Sequence, residues 1–186
     1  IVFGEAPSGT HSLEDLINRP ASRTKQDLNS INIEPLQPAV FQLSGGTTGI
    51  PKLIPRTHND YAYNSKQATE VTEVDENSVL LLVLPIAHNL PLACPGMQGF
   101  LFKGGKVVLS TSSKGRDVFS LVEKHSVTHI HVVPALLIGW INDPEIDKFD
   151  LSSLKMIQSG GQRLQPQVRL KTKELIPSVF VQENFG

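Results

Sequence analysis

The sequence has one cysteine, a 6% share of aromatic residues and a formal charge of only −1 over 186 residues. A single cysteine, Cys94, excludes an internal disulfide and fits the reducing environment of the cytosol. The near-zero charge gives no basic surface for nucleic acid or for an anionic membrane. No apolar run reaches the roughly 18 residues that a transmembrane helix needs, and the first residues do not resemble a signal peptide. These absences favour a cytoplasmic protein that binds neither nucleic acid nor membrane.

Hydrophobic residues make up 39% of the chain, which is enough to bury the core of one domain. The chain opens on Ile1 without a methionine and closes on a predicted strand, so we expect an excerpt from a longer protein. We treat 1–186 as a single fragment. Residues 1–38 are predicted to form a lead-in strand, a short helix and a polar loop, and 39–186 carry the candidate site.

Apolar runs alternate with amphipathic stretches along most of the chain. Strands are predicted at 40–43, 52–56, 78–85, 106–109, 128–133, 154–158 and 178–182. Helices are predicted at 12–17, from a cap at Thr57 or Asn59 to about Val71, and at 89–102, 117–125, 135–141 and 166–175. Repeated β-α-β units predict an α/β fold, with a mainly parallel sheet and helices on both faces. Ligands of such sheets bind beyond the carboxyl ends of the strands.

A loop rich in glycine and hydroxyl groups follows the predicted strand at 40–43. It reads Ser44-Gly45-Gly46-Thr47-Thr48-Gly49-Ile50-Pro51-Lys52. The glycines allow backbone N–H groups to approach a ligand, the hydroxyls add donors, and Lys52 adds a compact positive charge. The loop is not a P-loop, because Pro51 precedes the lysine and a strand, not a helix, is predicted to follow. The alternative interpretation of this loop is a plain hairpin turn. We expect a phosphate-binding site instead.

A histidine and an amide lie side by side after the buried strand at 78–85. His88 and Asn89 are framed by Pro85, Pro91 and Pro95. Asn89 could cap a helix, with Pro91 in its first turn. Capping is compatible with ligand contact, so we expect the prolines to hold the pair rigidly at the mouth of a pocket.

The loop at 44–52 closely resembles the phosphate-binding signature of the adenylate-forming superfamily, which includes acyl-CoA synthetases, luciferases and nonribosomal peptide adenylation domains. The segment His88-Asn89-Leu90-Pro91-Leu92 looks like the His-Asn-x-Pro-Leu segment of the aryl-acid adenylating enzymes of siderophore synthesis. The segment 56–61 also resembles that branch. The resemblance implies that ATP and Mg²⁺ are used to convert an aryl acid to aryl-AMP. The acyl group then passes to the phosphopantetheine thiol of an aryl carrier protein.

The same resemblance implies the roles of individual residues. Phosphate-binding positions are Ser44, Gly45, Gly46, Thr47, Thr48, Gly49 and Lys52. Adenine-binding positions are Gly160, Gly161, Gln162, Phe185 and Gly186. Positions that bind the aryl acid are Asn89, Leu90, Cys94 and Asn184. His88 is the implied catalytic residue, between the acid and ATP. The Mg²⁺ ligand is expected beyond Gly186, so no metal ligand is expected within the chain.

The substrate prediction depends on Asn89 and Cys94. An amide is neutral and both donates and accepts hydrogen bonds, which suits a hydroxy acid better than an amino acid. By resemblance, the position of Cys94 is serine in 2,3-dihydroxybenzoate enzymes and cysteine in salicylate enzymes. A thiol bonds weakly and behaves as a small hydrophobe, so it would disfavour a 3-hydroxyl group. We therefore expect salicylate, with a buried core cysteine as the alternative. Leu90 stands where this family usually has an aromatic residue after His-Asn. Asn184 stands where aryl-acid enzymes often have an aliphatic residue.

Other functions stay open at this stage. They are a 2,3-dihydroxybenzoate-AMP ligase, an aryl- or acyl-CoA ligase, and a non-catalytic nucleotide-binding module. The ribose-binding aspartate and the catalytic lysine of the family are expected outside the chain, so we expect the 186 residues alone to be inactive.

His129 and His131 share one face of a predicted strand. A metal pair is conceivable, but we expect two core histidines with local hydrogen bonds.

Overall fold

The computed structural model describes residues 7–9, 12–19, 27, 29–43 and 52–184, which fall into two units, Ile1–Glu34 and Pro35–Gly186. In the first unit, helix α1 spans Leu13–Asn18. The Ser12 hydroxyl accepts a hydrogen bond from the backbone N–H of Asp15, as the capping pattern predicts. The predicted lead-in strand at 2–3 lies outside the described residues.

The second unit contains a hairpin and a larger sheet. Strands β1 (Pro38–Leu43) and β2 (Leu53–Thr57) pair antiparallel. Five further strands form the larger sheet: β3 (Val79–Leu82), β4 (Lys106–Leu109), β5 (His129–Val132), β6 (Met156–Ser159) and β7 (Phe180–Glu183). Their order is β4-β3-β5-β6-β7, and every neighbouring pair is parallel. The predicted parallel α/β fold is confirmed.

Helices follow most of the strands. They are α2 (His58–Val71), α3 (Asn89–Ala93), α4 (Gly96–Phe102), α5 (Gly115–His125), α6 (Pro134–Ile141) and α7 (Pro166–Leu175), with a 3₁₀ turn at Ile146–Lys148. The Thr57 side chain accepts from the Asp60 N–H, so Thr57, not Asn59, caps α2. Among the described residues, no helix has both the length and the apolar character needed to span a membrane.

The single helix predicted at 89–102 is wrong, because the segment folds as α3 and α4 with a break at Cys94 and Pro95. A proline inside a helix removes one hydrogen bond, and its ring clashes with the preceding turn. The Cys94–Pro95 peptide bond is cis, and Gly96 has a φ of +53°. Because α3 ends at Ala93 and α4 begins at Gly96, Cys94 lies between the two helices.

The central strands of the parallel sheet, β3, β5 and β6, are buried on both faces. Leu81, Ile130 and Ile157 pack into the larger core, which includes side chains from α5, α6 and α7. Leu80 and Leu82 point the other way, into a smaller core with Phe100 of α4. Because successive side chains of a strand alternate between faces, burial of both faces explains the continuous apolar run of β3.

Two glycines provide a matched test of this arrangement. Alanine at Gly96 would place its Cβ against the Pro91 carbonyl at a positive φ, whereas Cβ at Gly139 meets no atom within 4 Å. We expect Gly96→Ala to lower the free energy of unfolding by about 2–4 kcal/mol. Gly139→Ala, in the middle of α6, should raise it by up to about 1 kcal/mol. Urea denaturation measures both changes, and equal effects of the two variants would contradict the described break between α3 and α4.

Candidate active site

The candidate site lies where the parallel strands end. β3 ends at Leu82, β6 at Ser159 and β7 at Glu183. The structure places the predicted segments 88–94 and 160–162 and the residue Asn184 after these strand ends, on the carboxyl side of the sheet. Lys52 precedes β2 and is exposed. The predicted site residues Ser44, Gly45, Gly46, Thr47, Thr48, Gly49, Phe185 and Gly186 lie outside the described residues.

Three of the predicted residues meet in space. A Cβ atom added to Gly160 would lie 3.0 Å from Leu90 Cδ2 and 3.9 Å from Asn184 Cβ. Gly160 therefore provides space that a larger side chain would fill. The structure brings together Leu90 from α3, Gly160 after β6 and Asn184 after β7, although 94 positions separate the first from the last (184 − 90).

The turn after β6 is fixed from both sides. Gly161 has a φ of +85°, a conformation that glycine adopts without strain. The Asn184 N–H donates to the Ser159 carbonyl at 2.8 Å, which continues the pairing of β6 and β7. Glu183 accepts from the Leu164 N–H at 2.6 Å and forms an ion pair with Arg169 at 2.9 Å. Glu183 thereby ties the far end of the turn to β7. Gln162, within the turn, is exposed.

Asn89 does not cap a helix, contrary to the capping interpretation. The N-cap of α3 is His88, whose side chain makes no capping hydrogen bond, and Asn89 is the first helical residue. His88 is exposed and Asn89 is half-buried. Asn89 Oδ1 is buried without a hydrogen-bond partner among the described residues, and the same holds for Asn184 Oδ1 and Ser159 Oγ. Buried oxygens ordinarily accept a hydrogen bond from protein, from a ligand or from ordered water.

Cys94 is half-buried at the junction of α3 and α4. Burial raises the pKa of its thiol above the usual range, although the Arg56 guanidinium opposes this effect. The group is therefore a neutral thiol at neutral pH, which is the state of a packing residue and not of a nucleophile. The preceding carbonyl, of Ala93, accepts from Asn64 Nδ2 at 2.7 Å and from Ser65 Oγ at 3.3 Å. These bonds hold the junction against α2.

Arg56 forms a two-bond ion pair with Asp60, one turn along the chain, and lies 5.1 Å from the centre of the Tyr61 ring. The hydrogen bond from Arg56 lowers the pKa of the Asp60 carboxyl group. Because Asp60 is exposed, the ion pair contributes little to stability. The ion pair holds the guanidinium beside the Tyr61 ring.

The two histidines of β5 have different environments. His129 lies 2.7 Å from Thr128 Oγ1 through Nδ1 and 3.1 Å from the Thr72 carbonyl through Nε2, as expected for a core histidine. His131 is fully buried, and neither of its ring nitrogens has a hydrogen-bond partner among the described residues. The polar side chain that acts on His131 is that of Gln158, its register neighbour on β6. Within the described ranges, no group of three metal-ligating side chains forms.

Sequence reasoning missed three polar residues near the site. Gln158 and Ser159 of β6 are buried, and Gln182 of β7 has a buried carbonyl oxygen. None of the three oxygens Gln158 Oε1, Ser159 Oγ and Gln182 Oε1 has a partner among the described residues. The available signal was a polar residue inside a strand that is otherwise predicted to be buried, since such groups are rare without a partner.

An α/β domain whose unpartnered polar groups gather at the carboxyl edge of a parallel sheet is typical of a ligand-binding enzyme domain. The chain belongs to the AMP-binding enzyme family, whose model matches residues 6–186. It is 49% identical over 130 residues to the vibriobactin-specific 2,3-dihydroxybenzoate-AMP ligase of Vibrio cholerae, covering 70% of this chain and 24% of that protein.

Over all 186 residues, the chain is 40% identical to the 2,3-dihydroxybenzoate-AMP ligase of Bacillus subtilis and covers 33% of it. The apo structure of MbtA from Mycobacterium smegmatis matches with a TM-score of 0.75 and 37% identity, over 84% of this chain and 28% of that one. The chain thus spans about a quarter to a third of the length of these relatives.

The anchoring of the turn by Glu183 can be tested with a pair of variants. Glu183→Ala removes both the bond to the Leu164 N–H and the ion pair with Arg169, whereas Arg169→Ala removes only the ion pair. We expect Glu183→Ala to lower the free energy of unfolding by about 1–3 kcal/mol. Arg169→Ala should lower it by less than about 1 kcal/mol. Urea denaturation measures the difference, and an equal loss in both variants would show that the backbone bond contributes nothing.

Proposed function

We propose that the full-length protein uses ATP to activate an aryl acid as aryl-AMP and loads the acyl group onto a phosphopantetheine carrier protein in siderophore synthesis. The observation that carries the proposal is the close approach of Leu90, Gly160 and Asn184, together with the amide oxygen of Asn89, which has no hydrogen-bond partner among the described residues. These residues combine an apolar side chain with neutral amides, and no carboxylate among them would attract an ammonium group. The names of the relatives from Vibrio cholerae and Bacillus subtilis support the same substrate class.

The chemistry joins one carboxylate oxygen of the acid to the α-phosphorus of ATP and releases pyrophosphate. Asn89 and Asn184 orient the acid, and the absence of a Cβ at Gly160 lets Leu90 pack closely against the turn after β6. His88, exposed at the start of α3, stands between the acid and ATP. The loop at 44–52, with Lys52, holds the departing pyrophosphate. Such a reaction depends mainly on positioning and on stabilisation of charge.

To bind ATP, the protein needs a cleft in which its backbone can lie close to the adenine base. Gly160 and Gly161 fit this need, because the first lacks a Cβ where space is short and the second adopts a left-handed turn. Gln162, Phe185 and Gly186 complete the proposed adenine site. Mg²⁺ accompanies ATP and would neutralise charge on its phosphates. We assign its ligand to a residue beyond this chain.

The acid is proposed to be salicylate. Cys94 presents a neutral thiol, which bonds weakly and fills the space that a 3-hydroxyl group would need. The alternative is 2,3-dihydroxybenzoate, which is supported by the names of the two enzymes from Vibrio cholerae and Bacillus subtilis. The composition supports a cytoplasmic location, where ATP and a carrier protein are both present.

Pyrophosphate exchange by the full-length protein tests the substrate. We expect kcat/KM to be higher for salicylate than for 2,3-dihydroxybenzoate. Cys94→Ser should shift the ratio towards the dihydroxy acid by about threefold to tenfold, the effect of one added hydrogen bond. Cys94→Ala is the matched control, because it creates space without a hydroxyl group and should give a smaller shift. A preference of the unmodified protein for 2,3-dihydroxybenzoate would contradict the role given to Cys94.

We also propose that the 186 residues alone do not complete the reaction, since they correspond to about a quarter to a third of the relatives. The isolated chain should show no salicylate-dependent pyrophosphate exchange above that of its Lys52→Ala variant. The full-length protein, assayed in parallel, is the positive control. Exchange by the isolated chain above the Lys52→Ala background would contradict the proposal.

A further inference from the structure

Helix α3 depends on its neighbours for its position. It begins at the predicted site residues His88, Asn89 and Leu90, yet it is only five residues long. The His88 side chain makes no capping hydrogen bond, and Pro91 within the helix has no N–H group to donate. A helix this short does not form on its own, because one turn of hydrogen bonds does not offset the entropy cost of nucleation. Contacts with other elements must therefore hold α3 in place.

The C-terminal end of α3 is anchored by helix α2. The last four carbonyl groups of a helix have no partner within that helix. The last carbonyl of α3, that of Ala93, accepts from Asn64 Nδ2 at 2.7 Å and lies 3.3 Å from Ser65 Oγ. Both donors belong to α2 and are 29 and 28 positions away in the sequence. The Asn64 amide thus acts as a C-terminal cap that a different helix supplies.

Of the two donors, Asn64 is the one on which the Ala93 carbonyl mainly depends. A serine hydroxyl has a single hydrogen to donate. Ser65 Oγ lies 3.1 Å from the Tyr61 carbonyl and 3.0 Å from Gln98 Oε1, so three acceptors share that hydrogen. The bond from Asn64 is shorter, at the lower end of the range for N–H···O bonds.

Helix α2 is a firm support for this bond. It spans 14 residues, its first turn is capped by Thr57, and one side of it buries Tyr61, Ser65 and Thr69. Helix α4 packs closely against it, since a Cβ atom added to Gly99 would lie 2.7 Å from Thr69 Cγ2. A five-residue helix that is bonded to such a support takes its position from it.

We propose that Asn64 is a positioning residue for the aryl acid. Through the Ala93 carbonyl it sets where α3 lies, and hence where the Asn89 amide meets the acid. This inference rests on the proposed function. Ala93 follows Asn89 by four positions (93 − 89), which is about 6 Å along a helix. Because α3 is little more than one turn, a shift at its C-terminal end moves its N-terminal end by a similar distance.

The environment of position 64 explains why an amide is suited to this role. Its NH₂ group donates without carrying a charge. Asn64 is half-buried, and a charged donor there would lose part of its hydration. An aspartate of the same size would present only acceptors to the Ala93 carbonyl, and a leucine would present no polar group. Either replacement therefore removes the bond and keeps most of the volume.

Pyrophosphate exchange by the full-length protein tests the inference. Asn64→Leu and Asn64→Asp should each raise the KM for the acid about threefold to tenfold, the effect of one lost hydrogen bond. The KM for MgATP should stay within about twofold, because the proposed shift is confined to α3. Gln67→Leu, on the exposed side of the same helix, is the matched control and should change neither KM. Asn64→Asp keeps a polar side chain, so the test stays available if Asn64→Leu does not fold.

A double-mutant cycle separates positioning from a general structural effect. If Asn64 acts through Asn89, then Asn64→Leu should lower kcat/KM for the acid by less than about twofold in a protein that already carries Asn89→Ala. Full additivity of the two losses would contradict the inference, and so would failure of both Asn64 variants to fold.

Two further outcomes distinguish this inference from the proposed function. If the unmodified protein activates an aryl acid and the acid KM is unchanged in the folded Asn64 variants, the role of Asn64 is refuted and the proposed function stands. An unmodified protein that activates no aryl acid would overturn both.

Discussion

Burial of the central strands β3, β5 and β6 on both faces is the constraint on which the rest of this structure depends. With α5, α6 and α7 against one face and α4 against part of the other, these strands present little exposed surface to a ligand. A ligand can therefore reach the sheet at the strand ends, and in a parallel sheet the carboxyl ends of all strands lie along one edge. Residues that are far apart in sequence, such as Leu90 and Asn184, therefore converge at that edge.

Helix α2 connects the hairpin to the junction between α3 and α4. Gln42 at the end of β1 donates to the Tyr61 hydroxyl at 2.9 Å, and Tyr61 is buried in α2. One turn further on, Asn64 and Ser65 donate to the Ala93 carbonyl, next to Cys94. The helix thus contacts both the strand that leads into the glycine-rich loop and the junction that carries Cys94.

Local patterns predicted most of the fold, because each strand and helix is short and is bounded by its own turn residues. The strand at 106–109 and the helix at 166–175 agree with the structure to the residue. The break at Cys94 was missed, since the prolines of 89–102 were read as marking the start of one helix. The contact of Leu90 with Gly160 was outside the reach of any local pattern, because it depends on how α3 packs over the sheet. For the same reason the sequence did not show that both ring nitrogens of His129 would have close polar contacts, whereas those of His131 have none within hydrogen-bonding geometry in the described part of the chain.

Unpartnered polar groups at the strand ends oppose the stability that the core of the sheet provides. A buried polar group without a partner costs about 1–3 kcal/mol, whereas a domain is stable by only about 5–15 kcal/mol. The amide oxygens of Asn89 and Asn184, which have no partner among the described residues, therefore represent a large cost if they stay unsatisfied. Ile130, Ile157 and Val181 in the larger core can offset that cost, because each of these side chains is almost fully buried. A domain organised in this way gains stability when a hydrogen-bonding partner reaches those amides, since binding supplies the hydrogen bonds that folding alone leaves unmade.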